Sequence, residues 1–98
     1  MKYKELKYEG KTYTKEDKIE DILKENGFKW LFQCEFESAE LEIKKDTLIW
    51  LNGEFNGGKW HYGIFKEGSF NRGTWESGIF EPTESNFKGK WVDGIKFW

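Results

Sequence analysis

The stretch GKWHYGIFKEGSFNRGTWESGIF, residues 58–80, places a glycine at every fifth residue and a Phe or Trp two residues after each one. The beat starts earlier, at Gly53. It runs through Gly58, Gly63, Gly68, Gly73 and Gly78, followed in turn by Phe55, Trp60, Phe65, Phe70, Trp75 and Phe80. It breaks at EPTESNF, residues 81–87, which carries the only proline, Pro82. It resumes at Gly89 with Trp91 and at Gly94, where Phe97 arrives one residue late. Self-similarity at a fixed period over most of a chain marks a repeat architecture, and a proline-bearing interruption reads as a loop.

A period of five has a physical reading. Residues two apart in a strand share a face, so each ring points to the same side as its glycine while the remaining residues turn the chain. Glycine supplies positive φ at the turn and leaves room for a ring to lie over the backbone. The aromatics amount to 19% of 98 residues and must supply most of the buried area. A chain of this length makes one domain. It buries only about two thirds of its unfolded surface, so the core has to be efficient.

Upstream, the pattern is different. YKELKYEGKTYT, residues 3–14, alternates polar and apolar residues around Glu9-Gly10, which predicts a hairpin with strands near 3–8 and 11–14. Thr14 as N-cap, acidic residues in the first turn and Gly27 as a left-handed stop predict a helix over 15–26, its stripe of Ile19, Ile22 and Leu23 lying as a lid on the repeats. The expected organisation is a hairpin-plus-helix cap over 1–27 and a pentad-repeat β region over 28–98.

The segment CEFESAELEI, residues 34–43, follows the same logic in other letters, with Cys34 and Ala39 small, Phe36 and Leu41 large, and Leu48 and Trp50 continuing after a slip around KKDT. It resembles the pentapeptide-repeat family, in which such residues face the axis of a four-sided right-handed β-helix. That resemblance implies roughly fourteen pentads over 29–98, or about three and a half four-sided coils. The glycine series is also similar to the GxWxxG segments of MORN repeats, which implies an antiparallel β-meander of short hairpins. A meander needs a large cover for its aromatic face, and one short helix is a poor one. The expected fold is therefore mainly β, a hairpin and one α-helix capping a short-repeat β-solenoid, with the meander as the alternative.

Charged residues reach 35% but nearly cancel, with a net charge of -2, which argues against nucleic acid or an anionic membrane as partner. The longest apolar cluster, Trp30–Phe32, is too short to span a bilayer. A single cysteine, Cys34, allows no internal disulfide and points to a reducing, cytoplasmic setting. The one histidine, His61, sits at an outward position beside Trp60 and has no obvious nucleophile to serve. One Cys and one His make no metal site, and the glycines lack the GK[ST] ending of a phosphate loop. The sequence thus predicts no catalytic residues, no cofactor and no metal.

Two surface features remain. Glu35, Glu37, Glu40 and Glu42 occupy outward positions beside Phe36 and Leu41, and stacked coils would gather them into an acidic stripe. The pentapeptide-repeat resemblance implies, for such a stripe, mimicry of a nucleic-acid backbone toward a protein partner; a plain solvated face is the alternative, since Lys44 and Lys45 follow directly. Phe97 and Trp98 finish the chain as a candidate dimer or partner edge, or as rings folded back onto the last coil. The expectation is a non-enzymatic protein-binding module, an inhibitor or adaptor. The alternatives are a sugar- or nucleotide-binding module using aromatic rows, and a self-assembling structural protein. The short aromatic repeats also resemble those of small phage-encoded proteins, which implies action in a host cytoplasm.

Overall fold

In the computed structural model, which describes residues 1–98, the repeats wind into a β-solenoid of about three turns. Strand β4 (Thr47–Gly57) runs along two sides of the first turn, and β5 (Lys59–Trp60) makes the third. Then come β6 (Ile64–Phe65), β7 (Ser69–Phe70), β8 (Thr74–Trp75) and β9 (Ile79–Phe80), and after the interruption β10 (Lys90–Trp91) and β11 (Ile95–Lys96). All pairings between turns are parallel: Trp50 aligns with Phe65 and Phe65 with Phe80, Phe55 with Phe70, Trp60 with Trp75 and Trp75 with Trp91. The alignment advances by three pentads per turn. The coil is therefore three-sided, where the family resemblance implied four sides.

Ring size accounts for the triangle. In the lowest layer Trp50, Phe55 and Trp60 meet edge to face, with centroids 6.0, 6.0 and 6.1 Å apart. The second layer repeats this with Phe65, Phe70 and Trp75, and the third with Phe80, Phe87 and Trp91. Three such rings close the cross-section. Between layers the rings stack face to face: Trp60 lies 5.2 Å from Trp75 at 6°, Trp75 lies 5.3 Å from Trp91 at 10°, Phe55 lies 4.5 Å from Phe70 at 7°, and Trp50 lies 5.1 Å from Phe65 at 11°. Edge-to-face contact within layers and stacking between them are both favourable ring geometries. The eight largest fully buried side chains are all rings, Phe28 and seven of the solenoid, Trp50, Phe55, Trp60, Phe65, Phe70, Trp75 and Phe80, each at 0% exposure.

The glycine does something the strand argument did not anticipate. At Gly68, φ is +104° and a Cβ would stand 2.2 Å from the carbonyl oxygen of Gly53, so the missing side chain points along the axis at the turn below. Its purpose is close approach of backbone to backbone. That approach allows a repeating pair of hydrogen bonds: Thr74 N–H donates to Gly58 O at 2.9 Å and Glu76 N–H to Trp60 O at 2.8 Å. In the uninterrupted turns each side is five residues long, from Trp50 through Phe55, Trp60, Phe65, Phe70 and Trp75 to Phe80.

Strand β3 (Glu35–Lys44) departs from the expected coil. It pairs antiparallel with β4, as the outer arm of a long hairpin. Residues KKDT hold the hairpin turn, with Lys45 at φ +50° and Asp46 at +63°, the two left-handed residues of a type I′ turn. The slip in the pentad frame was this turn. Cys34, Phe36, Ala39 and Leu41 are nonetheless all buried, because inward alternation does not depend on strand direction. Antiparallel pairing is confined to β3 with β4 and to β1 (Tyr3–Tyr8) with β2 (Lys11–Tyr13), which excludes the meander for the repeats.

The hairpin and the single helix form, but the helix packs mainly on β1 and on the 3₁₀ turn Lys29–Gln33 rather than as a lid on the repeats. Strand β1 adds parallel to β3, and the three-residue β2 ends the sheet, a short edge of the kind that resists further pairing. Helix α1 spans Glu16–Glu25, and its N-cap is Lys15 with no side-chain cap bond, so Thr14 does not cap it. Its end follows the Schellman pattern, with Gly27 N–H on Lys24 O and Phe28 N–H on Leu23 O. Ile19, Ile22 and Leu23 are buried, and Tyr3 Oη donates to Glu20 Oε2 at 2.8 Å, tying helix to sheet.

Candidate functional site

Each side of the solenoid shows solvent the residues that alternate with the inward rings. On the side built by β5, β8 and β10, the residues before the rings are Lys59, Thr74 and Lys90. On the side built by β4 and β7 they are Glu54 and Ser69. On the side built by β4, β6, β9 and β11 they are Ile49, Ile64, Ile79 and Ile95, one above the other in register. Only this third side carries an apolar column. Ile49 is buried, Ile64 and Ile79 are half-buried, and Ile95 is 56% exposed.

The column rises toward the most apolar part of the surface. Six large hydrophobic side chains are exposed: Met1, Tyr62, Val92, Ile95, Phe97 and Trp98, four of them within the last seven residues. Phe97 follows β11 and is 65% exposed. Trp98 turns back over the third ring layer, edge-on to Phe80 at 5.4 Å and to Trp91 at 5.8 Å, and keeps 38% exposure. The two candidate edge residues thus divide, Phe97 outward and Trp98 onto the core.

The four glutamates do not form one stripe. Strand β3 bends at Ser38, whose φ is +54°, and turns the same corner as Gly53. Glu35 and Glu37 fall opposite Gly57 and Glu54, whereas Glu40 and Glu42 fall opposite Asn52 and Ile49 on the isoleucine side. Glu37 accepts from the Met1 amino terminus at 2.6 Å, and Lys4 Nζ is 3.7 Å from Glu40. These carboxylates read as a solvated and partly neutralised face.

Burial pushes the Cys34 thiol up from its ordinary range, with Lys59 O accepting from Sγ at 3.5 Å, so it stays protonated and a poor nucleophile. His61 is exposed and stacks on Trp30 at 5.0 Å. The aromatic rows that a ring-stacking ligand would use are the core itself. Phe87 and Trp98 line one outside cleft with Thr83, Glu84, Ser85 and Lys88, and Trp30 lines another with His61. No helix is long and apolar enough to cross a membrane. No family model, no curated protein and no solved structure matches the chain.

A single pentad hides the isoleucine column, because the isoleucine recurs only on every third one. Read in threes, GIF at 63–65 and 78–80 and GIK at 94–96 set an isoleucine on every third pentad, as Trp60, Trp75 and Trp91 set a tryptophan. That longer period carries both the number of sides and the identity of the apolar one.

Proposed function

We propose that the chain is a non-enzymatic protein-binding module, acting as an inhibitor or adaptor, that docks an apolar strip of its partner on the isoleucine side, with Ile79, Ile95 and Phe97 at the centre of contact. The observation that carries this reading is the column of isoleucines on one side alone, running into the exposed Ile95 and Phe97. Exposed apolar surface concentrated on one patch is a mark of an interaction site. The interior favours it too: rings stacked in three columns hold the side rigid, so little ordering entropy is lost on docking.

The test is comparative capture from a cell lysate with three forms of the protein: wild type, Ile79→Lys/Ile95→Lys, and Thr74→Glu/Lys90→Glu on another side. Proteins held by the wild type and by the second variant should be lost from the first, with all three forms folded by circular dichroism. Capture that survives the isoleucine substitutions unchanged rejects the reading.

A further inference from the structure

We infer that Lys96 is a built-in stop on the end of the solenoid, one that keeps a second copy of this chain from stacking its own end there. The inference is independent of the docking side proposed above. It rests on a break in the ring columns. On the isoleucine side, successive turns place Trp50, Phe65 and Phe80 one over another, each 5.1 Å from the next. The next position in register with Phe80 is Lys96.

A lysine in a ring column has a specific effect. Its ammonium lies 5.1 Å from the Trp91 ring centroid and 5.2 Å from that of Trp98, a cation held over two π faces at the top of the stack. Trp98 meanwhile sits against all three rings of the last layer, Phe80, Phe87 and Trp91. Any further turn stacked on this end would close over the ammonium and take it out of water. None of the ion pairs, Met1–Glu37, Lys4–Glu40, Lys7–Glu5 and Lys59–Glu76, includes Lys96, so the charge would be buried unpaired, which is strongly unfavourable. A charge set into the edge of a sheet is a known guard against edge-to-edge pairing.

The opposite end needs no such guard, because β3 covers two sides of the first turn and the 3₁₀ turn Lys29–Gln33 with Cys34 covers the third. Head-to-tail growth is therefore blocked by the cap. The contact that Lys96 holds off is between two equivalent ends, a closed two-fold pair of the sort that isologous interfaces make.

The test is the molar mass in solution, by light scattering and sedimentation over a range of concentrations, of wild type, Lys96→Phe, Lys96→Phe/Trp98→Ser, Trp98→Ser and Lys90→Phe, each checked for the near-UV circular dichroism of its stacked tryptophans. The wild type, Trp98→Ser and Lys90→Phe should run as monomers. At least one of the two Lys96→Phe forms should double in mass as concentration rises. Lys90→Phe adds the same ring on the flank, so an equal mass increase there would mean that added stickiness, rather than the end stop, was at work and would overturn the inference. Folded Lys96→Phe forms that both remain monomeric would overturn it as well, as would a wild type that already pairs through this end.

Discussion

The side-chain amide of Asn86 donates to the carbonyl oxygen of Gly68 at 2.8 Å. On other turns the equivalent glycine carbonyl takes a backbone N–H from the strand above, as Gly63 O does from Ile79 and Gly78 O from Ile95. The insertion at 81–87 moves that strand away: Phe87 reaches the column of Phe70 only after two extra residues, by way of the 3₁₀ turn Glu84–Asn86. Asn86 supplies the missing donor from a side chain. Asn86→Ala should leave a part-buried carbonyl unpaired and destabilise the fold by about 1–2 kcal/mol, read from the midpoint of urea unfolding. Asn86→Asp, which keeps the size and loses the donor, should be no better. A midpoint unchanged in both variants would remove this account of the interruption.

Glycine at the corners should be irreplaceable for a reason that differs from place to place. At Gly68 a Cβ meets Gly53 O at 2.2 Å, backbone that cannot step aside without parting two turns. At Gly10 φ is also positive, +77°, but nothing lies within 4 Å. Gly10→Ala should therefore cost about 1–2 kcal/mol, the strain of a left-handed residue alone, whereas Gly68→Ala should cost more than twice that and leave little folded protein at 37 °C. Similar losses at the two positions would show that turn conformation, and not close stacking, explains the glycine series.

How far these features could be read beforehand depends on the range of the interaction involved. The hairpin at residues 3–13, the helix stop at Gly27 and the inward setting of Phe36, Leu41 and the later rings were legible, because turn chemistry and alternation are local. The direction of β3 was not, since Cys34, Phe36, Ala39 and Leu41 face inward whether the strand runs parallel or antiparallel to β4. The decisive residues there were Lys45 and Asp46, whose positive φ carries no glycine to announce it. The three-sided coil was present in the spacing of Trp60, Trp75 and Trp91, but visible only once pentads were compared three apart. Lys96 showed in the sequence as a ring arriving late at Phe97. Its meaning depended on the register with Phe80, which no local rule gives.

The ring columns set a graded expectation at Trp75, which is fully buried between Trp60 and Trp91. Trp75→Ala opens a cavity in the middle of all three layers and should cost about 3–5 kcal/mol. That is comparable to the whole stability of a domain of this size, about 5 kcal/mol or a little more. Trp75→Phe should cost less than half as much, since a ring stays in the column and the indole N–H, which has no hydrogen-bond partner, is removed. The rings around it offer only π faces, weak acceptors for that donor. Urea unfolding followed by near-UV circular dichroism separates the two variants. Equal losses would mean that the stacking match of Trp on Trp matters more than filled volume.

Alkaline pH should unfold the protein by way of two buried groups. Burial, with Glu20 accepting from the hydroxyl, raises the Tyr3 pKa above its ordinary value, and burial likewise raises that of the Cys34 thiol. Both keep their protons in the folded state while the unfolded chain releases them, the thiol above about pH 8.5 and the phenol above about pH 10. Stability is therefore fully present at neutral pH and falls as pH rises past each unfolded value, by up to about 1.4 kcal/mol per pH unit for each group. Tyr3→Phe gives up the bond to Glu20, about 1 kcal/mol at pH 7, yet should lose less stability between pH 10 and 11.5 than the wild type does. The part of the slope that begins near pH 8.5 should persist in Tyr3→Phe and disappear in Cys34→Ala. Urea midpoints measured across pH 7–11.5 give both slopes, and a Tyr3→Phe curve parallel to the wild type above pH 10 would show that the helix does not hold this phenol out of water when the fold is under alkaline stress.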